Sequence, residues 1–130
     1  MSNLLETLRI SASGMQAQSA RLRLVSENVA NEDTPGYQRK LTRFEEIVTG
    51  GDRTGMVRTG PVELDRSETA RIYDPAHPLA DQNGYHDGSN VNLVVEIADA
   101  REAQRSYEAN LKMFEQARQM RRDLLDILRR

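Results

Sequence analysis

The C-terminal part of the chain carries an apolar pattern that few structures other than a long helix can accommodate. Apolar residues recur there at steps of three or four, and no proline or glycine lies within residues 90–129. The mean step is about 3.5 residues, which is the coiled-coil period. The pattern predicts one helix over 90–129, about 55–60 Å long at 1.5 Å per residue. Its apolar stripe is Leu93, Ile97, Ala100, Ala103, Tyr107, Leu111, Phe114, Ala117, Met120, Leu124 and Leu128.

Residues 3–31 predict a second helix, about 40 Å long, with apolar residues on two sides. Two lines run along it, and they lie about 200° apart around the helix axis. If the two helices pair antiparallel, one line is left facing water. The first line is Leu8, Ala12, Met15, Ser19, Leu22, Ser26 and Val29, and the second is Ile10, Ala17 and Leu24.

A helix that is apolar on more than one side is normally enclosed on more than one side. We therefore expect the chain to complete its core with other chains. The alternative is that the middle of the chain covers the second side. The predicted subunit-interface residues are Leu8, Ile10, Met15, Ala17, Leu22, Leu24, Val29, Leu93, Ile97, Tyr107, Leu111, Phe114, Met120, Leu124 and Leu128.

The middle of the chain, residues 35–89, holds all four prolines and seven of the eight glycines. Leu41 to Val48 predict a short helix, because Thr42 and Glu45 have capping-box spacing and Gly50 can end it. Short strands are predicted at 56–59, 62–65 and 70–73, the last two joined through residues 66–68, and a turn-rich loop at 74–90.

These elements predict a mainly α chain with a small β-rich insertion. The long terminal helices pair as a coiled-coil-like hairpin that packs against neighbouring subunits. We divide the chain into an N-terminal helix segment at 1–34, a middle region at 35–89 and a C-terminal helix segment at 90–130.

The first helix meets a strong stop in the stretch NVANEDTPGYQRK, residues 28–40. Asn31 can take the left-handed conformation that ends a helix. Pro35 and Gly36 suit the centre of a type II turn, and Pro35 disfavours helix at Thr34. The turn directs the chain into the middle region, where we expect Tyr37 to pack at the junction.

Composition gives no sign of catalysis or of a bound cofactor. The chain has no cysteine, and its formal net charge of −2 favours neither nucleic acid nor an anionic membrane. Asp74, His77, Asp81, His86 and Asp87 share one loop, but their spacing fits no metal-ligand motif. We predict no catalytic, cofactor or metal residue, no small-molecule substrate, no cleaved signal peptide and no direct membrane insertion.

Two motifs resemble those of a known family. Residues 10–40 resemble the N-terminal signature shared by bacterial flagellar rod and hook proteins, the axial proteins. The run YDPAHPLADQNGY at 73–85 and the entry SNVN to the last helix resemble the proximal-rod members. The matching positions are Asn28, Ala30, Asn31, Thr34, Pro35, Gly36, Tyr37, Asp74, Pro75, His77, Pro78 and Asp81. The chain departs from that pattern at Ser89, where proline is expected, and at Ile97, where methionine is expected.

The resemblance implies a non-enzymatic, structural subunit of the flagellar basal-body rod. It implies terminal helices in an inner tube around the export channel, torque transmission across the periplasm, and export by the flagellar type III apparatus. Implied partners are the B, F and G rod proteins and hook–basal body protein E. The alternatives are another proximal-rod subunit, or a cytoplasmic coiled-coil adaptor or chaperone.

Overall fold

Two long helices dominate the structure, a computed structural model that describes residues 2–130, with side chains from Asn3 onward. Helix α1 spans Ser2–Ala30 and helix α2 spans Leu93–Arg129. The helices run antiparallel, since Arg21 near the end of α1 pairs with Asp99 near the start of α2. The prediction of two terminal helices around a small β-rich insertion is confirmed.

The start of α2 is capped by its own sequence. The Asn92 side chain accepts hydrogen bonds from the backbone N–H groups of Val94 and Val95 at 3.0 and 3.5 Å. Asn92 itself has extended dihedrals, φ −111° and ψ 112°. This arrangement satisfies two of the free amide groups of the first turn, so the helix begins at Leu93, within the predicted 90–129.

Small side chains line the contact between the two helices. Ala103 and Ala117 of α2 are 0 % and 3 % exposed. On α1, a Cβ added to Gly14 would lie 2.7 Å from Asn110 Oδ1, so the backbone at Gly14 approaches the other helix closely. About half of the predicted α2 stripe faces inward, namely Ala100, Ala103, Tyr107, Phe114 and Ala117, all buried or half-buried.

The middle region forms three two-stranded antiparallel sheets. They comprise six short strands, and none of the sheets is joined to another by backbone pairing among residues 2–130. The pairs are β1 (Lys40–Leu41) with β4 (Glu63–Leu64), β2 (Phe44–Thr49) with β3 (Asp52–Thr59), and β5 (Arg71–Tyr73) with β6 (Tyr85–Asp87).

The predicted short helix at 41–48 is wrong, because Phe44–Thr49 is strand β2. Thr49 pairs with Asp52, which leaves Gly50 and Gly51 as a two-residue hairpin loop. Both glycines have positive φ, 59° and 83°, as a type I′ turn requires. The glycine pair therefore closes a hairpin and does not end a helix.

The other predicted strands exist, but the last two do not pair with each other. Residues 56–59 lie in β3, and β4 and β5 lie within the predicted 62–65 and 70–73. The strands β4 and β5 do not pair with each other across residues 66–68. Instead β5 pairs with β6, which lies inside the predicted loop at 74–90.

The β2–β3 hairpin covers the second side of α1. The backbone N–H of Val57 donates to Ser13 Oγ at 3.1 Å, and a Cβ on Gly55 would lie 3.1 Å from Ile10 Cδ1. Ala17 is 3 % exposed, although Ile10 keeps 38 %. Along this line the middle region therefore covers Ala17 and leaves Leu24 half-buried, as the alternative expected, whereas Ile10 remains exposed.

Candidate assembly site

The first helix ends through side-chain capping at Asn31. Its backbone N–H donates to Glu27 O at 3.1 Å, and its side-chain Nδ2 donates to the same oxygen at 2.8 Å. No non-glycine residue within 2–130 has a positive φ. The predicted left-handed Asn31 is therefore wrong, and the amide side chain instead adds a second hydrogen bond to the Glu27 carbonyl at the end of the helix.

The predicted type II turn at Pro35–Gly36 is confirmed. Gly36 has φ 73°, and the Tyr37 N–H donates to Thr34 O at 3.1 Å. A second contact holds this turn against β6, since the Gly36 N–H lies 3.2 Å from Asp87 O and 3.1 Å from Gly88 O. The turn is thus tied to the strand that precedes α2.

The buried side chain of Asn28 joins α1 to the segment after the turn. Its Oδ1 accepts from the Tyr37 hydroxyl and the Lys40 N–H, both at 2.9 Å. Its Nδ2 donates to Lys40 O at 2.9 Å and to Glu96 Oε2 at 3.4 Å. All four hydrogen-bonding positions of the amide are used, and Asn28 is 1 % exposed. Burial raises the pKa of the Tyr37 hydroxyl, so it remains a protonated donor.

Arg39 links the segment after the turn to α2. Its Nε donates to Glu96 Oε1, and its Nη2 donates to Asp99 Oδ2 at 2.8 Å. Glu96 is 0 % exposed, and its charge is balanced by this guanidinium. Burial alone would lower the pKa of Arg39, but the hydrogen bond and charge of Glu96 raise it above its ordinary value.

Asn90 completes the junction from the start of the last segment. Its Oδ1 accepts from the Arg39 N–H at 2.6 Å, and its Nδ2 donates to Asp65 O at 2.9 Å. The Asp65 carboxylate accepts from the Ser67 N–H at 2.9 Å. Hydrogen bonding from Ser67, helped by the nearby Arg39 charge, lowers the pKa of Asp65. We call Asn28, Tyr37, Arg39, Asn90 and Glu96 the junction cluster.

Ser89, the departure from the expected proline, has a role that proline could not fill. Its hydroxyl donates to the backbone oxygen of Glu32, and Ser89 is 7 % exposed. It also accepts from the Val91 N–H at 3.3 Å. The side chain therefore joins the end of α1 to the approach to α2.

The second motif, residues 74–85, forms a loop that is held by hydrogen bonds from its own residues. Asp81 Oδ1 accepts from the N–H groups of Asn83 and Tyr85 at 2.8 and 3.0 Å. These bonds and the Arg71 ion pair lower the pKa of Asp81. The rings of His77 and His86 stack at 3.9 Å. Within residues 2–130 no group of three or more His, Cys, Asp or Glu side chains is placed to hold a metal ion.

The predicted interface residues divide into covered and exposed groups. Ala17 is buried, and Leu8, Met15, Leu22, Leu24, Tyr107 and Phe114 are half-buried. The rest present at least a third of their surface to solvent: Ile10, Val29, Leu93, Ile97, Leu111, Met120, Leu124 and Leu128. Val94 and Ile127 are also exposed, at 76 % and 65 %.

Sequence reasoning missed three members of the junction cluster, two of which are charged. Arg39, Asn90 and Glu96 were not among the predicted site residues, although Asn28 and Tyr37 were. One signal was present: Glu96 is a lone acid among the apolar residues LVV and I at the start of α2. A charge in that position usually has a buried partner.

Comparison with known proteins gives flagellar rod families at both ends of the chain. The family described as "Flagella basal body rod protein" matches residues 8–38. The family described as "Flagellar basal body rod FlgEFG protein C-terminal" matches residues 82–127.

Full-length relatives give the same family. The flagellar basal-body rod protein FlgC of Agrobacterium fabrum is 42 % identical, over 93 % of this chain and 92 % of its own length. That of Salmonella typhimurium is 33 % identical over 90 % and 92 %. That of Borreliella burgdorferi is 32 % identical over 96 % and 97 %. The chain belongs to the FlgC family of flagellar basal-body rod proteins.

Membership of the FlgC family identifies the chain as a structural subunit of the flagellar basal-body rod and not as an enzyme. The rod family also implies assembly with other rod and hook–basal body proteins. Neither α1 nor α2, as described, has the length and apolar character together that crossing a membrane needs.

Proposed function

We propose that this FlgC-family chain forms part of the proximal rod, the periplasm-crossing shaft that passes motor torque to the hook and filament. The helix segments 1–34 and 90–130 form an inner layer around the export channel, and the middle region 35–89 lies further out. The support is the family membership together with a structure in which both termini are long helices and the insertion is small.

We propose that its neighbours are the B, F and G rod proteins and hook–basal body protein E. The chain reaches the periplasm through the flagellar type III export apparatus. In support, relatives that match about 90 % of this chain are flagellar basal-body rod proteins, and the rod family implies assembly with other rod and hook–basal body proteins.

One observation carries the assembly proposal: large apolar side chains of both helices remain exposed in the isolated chain. Val94, Ile127 and Leu128 are 76 %, 65 % and 75 % exposed, whereas the fully buried apolar core is small. Most helix stability comes from tertiary packing. We infer that the terminal helices are poorly ordered in the free subunit away from the junction cluster. They pack fully only in the rod, as a coiled-coil-like hairpin against neighbours.

Circular dichroism of the dilute chain tests this folding-on-assembly proposal. We expect helicity well below that of two complete helices, with a broad thermal transition. Full helicity of both segments in the monomer, with a cooperative melt, would contradict it.

The junction cluster supports the torque proposal. Torque passes through well-packed contacts and not through mobile loops. The hydrogen bonds of Asn28 and Arg39 fix the middle region to both helices within a few residues of the turn. This is the kind of connection that a stiff subunit needs between its inner helices and its outer part.

The cellular test separates the rod subunit from a cytoplasmic adaptor. We expect the protein in purified basal bodies, and we expect a deletion strain to lack hook and filament. A protein confined to the cytoplasm, with hooks intact in the deletion strain, would favour the adaptor.

A further inference from the structure

Two methionines lie along one exposed side of α2. Met113 and Met120 are seven residues apart, which is close to two helical turns, and they are 51 % and 49 % exposed. By contrast, Met15 of α1 and Met56 of β3 are half-buried. The two α2 side chains are therefore more accessible to a reagent in solution than the other two.

The two side chains flank an open cleft between α1 and α2, at the end of the helical pair away from the junction cluster. The cleft has a volume of about 250 Å³ and is lined by Leu4, Thr7, Met113, Gln116, Ala117 and Met120. The Thr7 hydroxyl already donates to Asn3 O at 2.8 Å. Among the lining residues, the Gln116 amide is then the one side chain left to donate a hydrogen bond.

Thioether sulfur is the sole sulfur of this chain, because the sequence contains no cysteine. An oxidant of the peroxide class therefore meets no competing thiol. In the reaction the sulfur lone pair attacks one peroxide oxygen, an S–O bond forms and the O–O bond breaks. With hydrogen peroxide the second oxygen leaves as water after proton transfer, so sulfur is oxidised by two electrons and the peroxide is reduced. The product, methionine sulfoxide, is polar and can be reduced back by methionine sulfoxide reductases.

A sulfoxide at these positions opposes close packing of the helices. It adds an acceptor oxygen to a side chain in a mainly apolar cleft, and burying a polar group without a partner is costly. Met120 also belongs to the apolar stripe of α2, whose exposed members we propose to be covered in the rod. Oxidation therefore changes a surface that has to become buried, and it leaves the junction cluster untouched.

We propose that Met113 and Met120 form an oxidation site at which peroxide acts on the unassembled chain and prevents its entry into the rod. The thioether form is competent for assembly, and the sulfoxide form is not until it is reduced. The consequence for assembly rests on the proposed rod function, whereas the selectivity of the oxidation rests on this chain alone. In the assembled rod the two side chains are covered and react slowly.

Peptide mapping by mass spectrometry tests the site in the unmodified full-length chain. After treatment with hydrogen peroxide, we expect Met113 and Met120 to gain an oxygen atom at least about fivefold faster than Met56. In purified basal bodies treated in the same way, both reactions should be slowed about fivefold. Equal rates at the three methionines of the free chain, or no protection in basal bodies, would overturn the inference.

Substitutions test the consequence for assembly. Met113→Gln with Met120→Gln places a polar amide at both positions, and we expect incorporation into basal bodies to fall about tenfold. Met113→Leu with Met120→Leu keeps the positions apolar and removes the sulfur. This chain should be incorporated normally, also after a peroxide pulse that lowers incorporation of the newly made unmodified chain. Met56→Leu is the matched control and should leave the peroxide sensitivity unchanged.

Two results of the substitution experiment contradict the proposal. One is normal incorporation of the double-glutamine chain, and the other is equal peroxide sensitivity of the unmodified and double-leucine chains. If both double variants enter basal bodies and support motility with and without peroxide, the oxidation site fails and the rod function stands. If the unmodified chain itself never enters basal bodies, the rod function fails, while the rates measured on the free chain still decide whether oxidation is selective.

Discussion

The junction cluster and the α2 tail, residues 118–130, differ in the exposure and pairing of their side chains. In the junction cluster, polar groups are buried and paired: Asn28 and Glu96 are 1 % and 0 % exposed, and the Asn28 amide uses all its hydrogen-bonding positions. In the tail, apolar groups are exposed, and Leu128 is 75 % exposed. One region is complete within the chain, and the other is not.

This difference indicates which contacts belong to the subunit and which belong to the assembly. A buried polar network without its partners is costly, so it must be satisfied internally before assembly. An exposed apolar face is tolerable in a dilute monomer and becomes stabilising when a neighbour covers it. We therefore expect mutations in the junction to lower the stability of the free chain, and mutations in the tail to affect assembly.

The largest effect on the free chain is expected at the centre of the junction. Asn28→Ala leaves the Lys40 N–H and C=O and the Tyr37 hydroxyl without their partner. We expect a loss of about 3 kcal/mol in the free energy of unfolding, measured by urea titration. Gln104→Ala, at an exposed position on α2, is the control and should change little. An equal effect of the two would mean that the network is not holding the junction.

A smaller loss of unfolding free energy is expected at the turn that precedes the junction. Gly36 has φ 73°, which a β-branched residue adopts only with strain, although no atom lies within 4 Å of an added Cβ. We expect Gly36→Val to cost about 2 kcal/mol in unfolding free energy and to abolish rod assembly by misdirecting residues 37–48, while export persists. Gly36→Asn, which tolerates this conformation better, is the control. A fully motile Gly36→Val strain would mean that the turn only ends the helix.

Leu111→Ala should impair assembly while leaving the stability of the free chain nearly unchanged. Leu111 is 36 % exposed in the isolated chain, so its truncation should cost less than about 1 kcal/mol there. If a neighbour buries it in the rod, the cost at that site rises to about 2–5 kcal/mol. We expect normal urea unfolding but defective motility, with Glu115→Ala as the exposed control. Unaffected assembly would remove Leu111 from the interface.

The smallest effect concerns acid stability at Asp65. Its pKa is lowered in the folded chain by the Ser67 hydrogen bonds and the Arg39 charge. The stabilisation is therefore present above the unfolded pKa of about 4 and is lost as the pH falls through the folded pKa. We expect Asp65→Asn to flatten the acid limb of the stability curve without changing its shape near neutral pH. An unchanged acid limb would show that this carboxylate does not contribute.

Periodicity was enough to predict the two helices, because few structures other than a helix place apolar residues at steps of three and four on one side. The type II turn followed from Pro35 and Gly36 for a similarly local reason. Residues 41–48 were misread, because an apolar run before Gly50–Gly51 fits both a helix stop and a hairpin, and only the pairing of Thr49 with Asp52 decides.

The charged part of the junction could not be predicted in the same way. Arg39 and Glu96 are far apart in the chain, and their pairing depends on the antiparallel register of the helices and on the path taken after the turn. The cover over Ala17 also depends on a non-local contact, between Val57 and Ser13. The predicted interface residues remain a proposal that the rod itself must test.

Amide hydrogen exchange on the dilute free chain tests the central contrast most directly. We predict slow exchange at the junction amides that are hydrogen-bonded, Lys40, Asp65 and Gly36, and fast exchange through residues 118–129. In assembled rods both regions should be protected. Equal, strong protection of both regions in the dilute monomer would contradict the account, since the α2 tail would then need no neighbour to be ordered.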